Sequence, residues 1–424
     1  MKKKIKEGNF IPSPEYLARE KRVKDAFDLK IPDRIPILMY PGYLIAEMGG
    51  VTRKELYDNP DKSQEILEKI ALQFQPDMIT GLFDSPEPSR LLGDQMTRWP
   101  GYGLGPDDSF QFHEQEFMKD SDYDSFLLDP SDYAIRTYLP RAFSKMKGLS
   151  QLPPFGMSLF GFYNLRSLLA LTDPSVVAAL NALSAATREI VKKHARSARS
   201  MRRLAEIGFP GPFFLAGALL EAPFDFMADT LRGMRGIFLD MMRIPEKLLL
   251  AEEKVKNIML EHAINMARTT GINYASFPLH RGSDGFMSLE HFEKFYWPQL
   301  RDMILQLVDA GLNIWVFYEG IWDQRLEYLA ELPRGRTAGL FQDSDIFRVK
   351  DTLGDTMCIM GGMPIPLLMG GTVQEVRDHT QRLCEHVGKG GGYIMSTNIA
   401  ELEGCKPELI RTWIDATKEF GVYI

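Results

Sequence analysis

Residues 313–322 read NIWVFYEGIW. Six residues of strand character run directly into a carboxylate, Glu319, which is followed by a glycine. A short, nearly uninterrupted apolar run of this kind suits a strand buried on both faces, as in a parallel sheet. Similar runs recur at residues 35–40, 77–83, 213–220, 272–277, 337–341, 357–361 and 392–396. Segments of helical period lie between most of them, such as 288–310 and 372–387. The second of these opens on Thr372 with Glu375 three residues on, the spacing of a capping box. Eight strands alternating with helices predict an α/β chain folded as a single (β/α)8 TIM barrel spanning residues 1–424. Residues 101–130 and 151–203, the latter with a long helix from about residue 174, exceed the bare repeat. They are expected as insertions over the C-terminal mouth, with an N-terminal extension ahead of the first strand.

Composition narrows the class of function. The 424 residues carry a net charge of −7 with the two signs interspersed, which argues against a nucleic-acid partner. The basic run Lys2-Lys3-Lys4-Ile5-Lys6 is followed by Glu7-Gly8-Asn9 and not by an apolar segment, so it is read as a solvated tail and not as a secretory signal. No stretch approaches the roughly 18 apolar residues of a membrane-spanning helix. Cys358, Cys384 and Cys405 are odd in number and lack CxxC spacing, which points to a reducing, cytoplasmic setting.

Barrel enzymes carry their chemistry at the C-terminal ends of the strands. That rule places Glu319 after the fifth strand, Tyr40 and Tyr43 after the first, Asp84 after the second, Glu221 after the third and His280 after the fourth. Asp343 and Asp345 follow the sixth strand, Met363 the seventh and Asn398 the eighth. These side chains are expected to converge on one mouth.

Six stretches in their shared order resemble the uroporphyrinogen decarboxylase superfamily, which includes cobalamin-dependent methyltransferases. They are PDRIP (32–36), PDMITGLFDSPEPSRLLG (76–93), GPFFLAGALLEAP (211–223), FMSLEHFEKFYWPQL (286–300), IMGGMPIPLL (359–368) and GGYIMSTNIAELEGCKPELI (391–410). The resemblance implies a single barrel with its active site at the C-terminal mouth. It also locates departures. The decarboxylases carry an arginine pair in the first loop, where residues 38–43 read LMYPGY. A tyrosine hydroxyl cannot supply the charged, bidentate fork that a polycarboxylate needs. The family's tyrosine, serine and histidine positions fall at Ala218, at Leu279 and among Thr397 and Asn398, leaving Asp84 as the functional group retained. The thiol-methylating branch binds zinc through a His-x-Cys-Gly motif after the fifth strand and a cysteine after the eighth. Here Phe317 and Glu319 occupy the first two positions, and Ser396-Thr397-Asn398 the third site.

The remaining branch resembles substrate:corrinoid methyltransferases, which move a methyl group from an ether or amine to cobalt. On that resemblance Glu319, Asp84 and His280 are the expected catalytic set. A carboxyl flanked by aromatic residues is expected to stay protonated and assist the leaving group. Tyr40, Tyr43, Tyr318 and Trp322, with Glu221 and Asn398, are expected to form the substrate wall. If a metal such as zinc assists instead, Glu319, His280 and Asp343 are its expected ligands. The Asp-x-His-x-x-Gly signature of a cobalamin module is not met, since Asp378-His379 continues as Thr380-Gln381-Arg382. The corrinoid (cobalamin) is therefore expected on a separate partner protein. A lyase on the same barrel, working without that partner, is the alternative, and a homodimer is one assembly compatible with either.

Overall fold

The computed structural model describes residues 10–81 and 84–423. The basic run 2–6, and Leu82 and Phe83 at the end of the second expected strand, lie outside the described residues. Eight parallel strands follow the runs read from the sequence: β1 (Leu38–Met39), β2 (Met78–Ile79), β3 (Ala218–Leu219), β4 (Tyr274–Leu279), β5 (Asn313–Tyr318), β6 (Thr337–Phe341), β7 (Cys358–Met363) and β8 (Tyr393–Thr397). Strands β3 to β8 form one sheet in which each pairs with the next. β1 pairs with β2, and a parallel bridge from Ile37 to Met395 joins this pair to β8. The spatial order is thus β2-β1-β8-β7-β6-β5-β4-β3. Between β2 and β3 no ladder forms among the described residues. In sequence this gap holds both expected insertions.

Strand alternation sorts the side chains into two layers. Leu38, Met78, Trp315, Leu340, Met360 and Ile394 meet in one interior cluster, closed by Val23, Ala26 and Phe27 of α1 (Pro14–Phe27). All the strands but β3 and β4 contribute a buried member to this cluster. The alternate residues Ile314, Val316 and Tyr318 face the larger cluster under the helices. Below the strands, Asp77 is fully buried and accepts hydrogen bonds from Arg22, from both terminal nitrogens of Arg34 at 2.8 Å and from the Ile37 amide at 2.8 Å. That network ties the PDRIP segment to β2.

The remaining helices begin where local chemistry predicts. In α2 (Pro60–Phe74) and α3 (Pro174–Glu206) proline occupies the first turn, where its missing amide costs no hydrogen bond, and Asn59 and Asp173 cap the ends. The expected helix at 288–310 is capped by Ser288, passes through a wide turn at Phe292–Tyr296 and continues as α4 (Trp297–Asp309). The capping box of Thr372 and Glu375 opens α5 (Val373–Arg382). Thr97–Arg98, just ahead of the first insertion, pairs antiparallel with Gln111–Phe112 inside it, and the pair lies apart from the main sheet.

Candidate functional site

The register of two adjacent strands builds the centre of the site. Leu279 of β4 pairs with Tyr318 of β5, and the Glu319 amide donates to the Leu279 carbonyl at 3.1 Å. The next residues, His280 and Glu319, therefore emerge side by side, with Nδ1 of His280 2.6 Å from Oε2 of Glu319. Burial alone would lower the pKa of the imidazole. The hydrogen bond to Glu319 and the charges of Asp225, Glu319 and Asp229 outweigh it and raise His280 to about 9. The same hydrogen bond holds the Glu319 carboxyl below its ordinary value, against a smaller effect of burial. This corrects the expectation of a protonated Glu319: the proton sits on the histidine, because a charged partner in contact outweighs apolar neighbours.

After β3 the chain turns through Glu221 into a short helix, Pro223–Asp225. The fully buried Asp225 carboxylate accepts from the amides of His280 (3.0 Å) and Arg281 (2.9 Å) and from the Tyr296 hydroxyl (2.6 Å), so it holds the loop that carries His280. Burial raises Asp225 to about 6, although the charge of His280 and these hydrogen bonds pull the other way. Glu221 presents a buried Oε2 with no hydrogen-bond partner. Burial, then the charges of Asp225 and Asp229, push its carboxyl up to about 7. Arg281 is held by Asp229 at 2.6 Å and by Glu114 of the first insertion at 2.9 Å.

A second recess lies between the loops after β1, β2 and β8. It is an open cavity of about 300 Å³ whose wall includes Tyr43, Tyr57, Asp84, Trp99, Phe110 and Glu401. The Tyr43 and Tyr57 hydroxyls are 2.9 Å apart, and the Trp99 ring lies edge-on to Tyr57 at 5.4 Å and to Phe110 at 4.7 Å.

Other expected site residues are placed differently. Asp84 lines the second recess and pairs with Lys193 of α3 at 2.6 Å, with no hydrogen bond to Glu319 among the described residues. Tyr40 points into the interior cluster, 3% exposed, with its hydroxyl unpartnered and burial raising its pKa. Tyr318 and Trp322 are buried in the helical layer, 5.1 Å apart, with the indole N–H donating to the Glu319 carbonyl; they buttress the Glu319 loop from behind and do not wall the mouth. Strand alternation is the reason for Tyr318, which must face away from the neighbouring inward position. Asn398 has its amide engaged with the Gln342 carbonyl at 2.9 Å and the Ile365 amide at 3.4 Å, so it stitches three loops together. Among the described residues no three His, Cys, Asp or Glu side chains are grouped to hold a metal ion, so the exposed Asp343 does not join His280 and Glu319. A zinc site is not supported by this donor set. Tyr57, Trp99, Phe110, Asp225, Arg281 and Glu401 were not foreseen. The signal for Asp225 lay four residues after Glu221, a single helical turn away.

Fold and mouth together define an α/β enzyme scaffold with a titratable centre at the strand ends. A profile of the uroporphyrinogen decarboxylase (URO-D) family matches residues 173–420, more than half the chain, and the protein belongs to that family. No curated protein matches the chain as a relative. Among solved structures the chain is similar to a methyltransferase from Methanosarcina mazei, with a TM-score of 0.57, 11% sequence identity and coverage of 95% of this chain and 98% of that one. At that identity the likeness concerns the fold. No single described helix is long and apolar enough to cross a membrane.

Proposed function

We propose that the chain is a closed (β/α)8 barrel that takes a methyl group from a small methylated ether or amine and passes it to a separate corrinoid protein. The observation that carries this reading is the charge of the mouth. Glu114, Asp225, Asp229 and Glu319 surround two cations, His280 and Arg281, and Arg281 is already paired. A polycarboxylate would be repelled by such a mouth, whereas a neutral or cationic methyl donor would not.

The partner's corrinoid supplies the methyl acceptor. What this chain supplies is protons and orientation. An alkoxide leaving group needs a proton, and two groups hold one near neutrality: the His280 imidazolium, positioned by Glu319, and Glu221. Asp225 and Tyr296 keep the His280 loop in place. The direct test is incubation with a Co(I) corrinoid protein and a panel of methoxyarenes and methylamines, following the cobalt absorption. Methylation of the corrinoid is expected with at least one donor, and its absence across the panel would sink the reading.

A lyase that needs no corrinoid is the second reading. Glu221 favours it to the extent that a carboxyl protonated at neutral pH also suits protonation of a carbanion. Turnover of a carboxylated substrate without any partner protein would decide for it.

A further inference from the structure

We propose that the recess walled by Tyr43, Tyr57, Trp99, Phe110 and Glu401 is a binding site for a quaternary ammonium group, which makes the methyl donor an organic cation. The inference rests on the methyltransferase reading for the word donor, but the binding site stands on its own geometry.

Four aromatic rings converge there. Trp99 is 7% exposed and set edge-on to both Tyr57 and Phe110, while Tyr43 is joined to Tyr57 through their hydroxyls. The Phe110 amide also donates to the Tyr43 hydroxyl at 3.2 Å, so the insertion is tied to the first loop and the rings are held together. Ring faces carry partial negative charge, and cages of tyrosine and tryptophan are the usual recognition device for quaternary ammonium.

Two carboxylates complete the recess, and they differ. Asp84 is paired with Lys193. Glu401 accepts from the Tyr43 amide at 3.0 Å, but among the described residues it pairs with no cationic side chain. Its approach depends on Gly42, at φ +51°, where a Cβ would meet Glu401 Oε1 at 2.8 Å. The guanidinium of Arg53, on the Tyr43 ring at 4.6 Å, is matched by Glu403. The recess therefore keeps one carboxylate free for a bound cation. The volume of about 300 Å³ is at the small end for ligand pockets and suits a trimethylammonium head.

The chemistry is consistent with the rest of the mouth. In transfer from a quaternary donor the C–N bond would break, nitrogen would keep its electron pair and leave as a neutral tertiary amine, and the partner's reduced corrinoid would supply the electron pair that accepts the methyl group. No proton is consumed, so this donor class also fits a mouth in which Glu319 is ionised.

Isothermal titration of the full chain with tetramethylammonium, choline and the neutral choline isostere 3,3-dimethylbutan-1-ol tests the site. The two cations are expected to bind, with the isostere weaker by about tenfold or more, and Trp99→Leu and Glu401→Gln each to weaken the cations about tenfold. Thermal melting identifies any variant that fails to fold, and the cation-to-isostere ratio on the parent protein needs no variant. Equal binding of choline and its isostere, or no cation binding at millimolar concentration, would overturn the site. Cation binding with no methyl transfer from any donor would keep the site and overturn the methyltransferase reading, and transfer from ethers without cation binding would do the reverse.

Discussion

Nδ1 of His280 and Oε2 of Glu319 lie 2.6 Å apart because β4 and β5 are paired with Leu279 opposite Tyr318, so the first residue beyond each strand lands beside the other. The contact sets two protonation states at once. NMR titration of His280 should show a midpoint near 9, and Glu319→Gln should bring it down toward the ordinary histidine range. Because the folded-state pKa is raised, the stability this group contributes is complete below about 6.5, its ordinary value, and is lost as the pH rises through about 9. Thermal melts of His280→Gln should accordingly lose the part of the parent's pH dependence that lies between pH 7 and 9, above the range in which Glu221 titrates.

The same pair should govern turnover of donors that need a proton. His280→Gln should lower methyl transfer from an ether by roughly 10²–10⁴, the usual worth of general-acid assistance. Glu319→Gln acts through His280, so its signature is a shift of the alkaline limb of the pH–rate profile to lower pH. An unmoved limb would assign Glu319 to structure.

Glu221 gives the opposite kind of group, a carboxyl whose fold favours the neutral form. With its pKa raised to about 7, its favourable contribution is present below about 4.5, the ordinary value, and is lost as the pH rises through 7. Glu221→Gln should therefore raise the melting temperature at pH 8 more than at pH 5. Equal shifts at both pH values would show that Glu221 titrates normally.

Asp77 is fully buried between Arg22 and Arg34 at the end of the barrel away from the mouth. Asp77→Ala leaves two guanidinium groups without their shared acceptor, and denaturant unfolding should show a loss of about 3–5 kcal/mol. Binding of donors to folded protein should be unchanged, since nothing in the network reaches the strand ends that carry His280 and Glu319.

Position after β5 places Trp322 in the substrate wall on sequence grounds, but its burial assigns it to the core. Trp322→Ala should cost about 3–5 kcal/mol of stability. A Trp322→Phe protein, which keeps the apolar contact but loses the N–H bond to the Glu319 carbonyl, should bind donors with parental affinity. A large loss of donor affinity in Trp322→Phe would return Trp322 to the binding wall.

The strands were legible because their signals are local. An apolar run such as residues 313–318 becomes β5 whatever lies far away, and a Thr372–Glu375 box or a proline in the first turn declares a helix start within a few residues. The rule that chemistry follows the strand ends also singled out Glu319, His280 and Glu221, since position after a strand is itself a local property. Family membership was legible for the same reason, from short ordered stretches.

What the sequence could not decide was which strand-end groups meet and in what state. The proton on His280 and its absence from Glu319 depend on the register of two strands and on Asp225, which arrives from another loop to hold the backbone of His280. Asp84 pairs with Lys193, more than a hundred residues away, and the aromatic recess joins Tyr43 and Tyr57 to Trp99 ahead of the first insertion, to Phe110 within it and to Glu401 of the last strand's loop. By itself the sequence determined the parallel strands, the helix starts and the short list of strand-end residues, because each is set by backbone chemistry over a few residues. Partners, burial and charge were decided by the tertiary structure alone, because they depend on distances between residues that only the packing of loops from separate strands brings together.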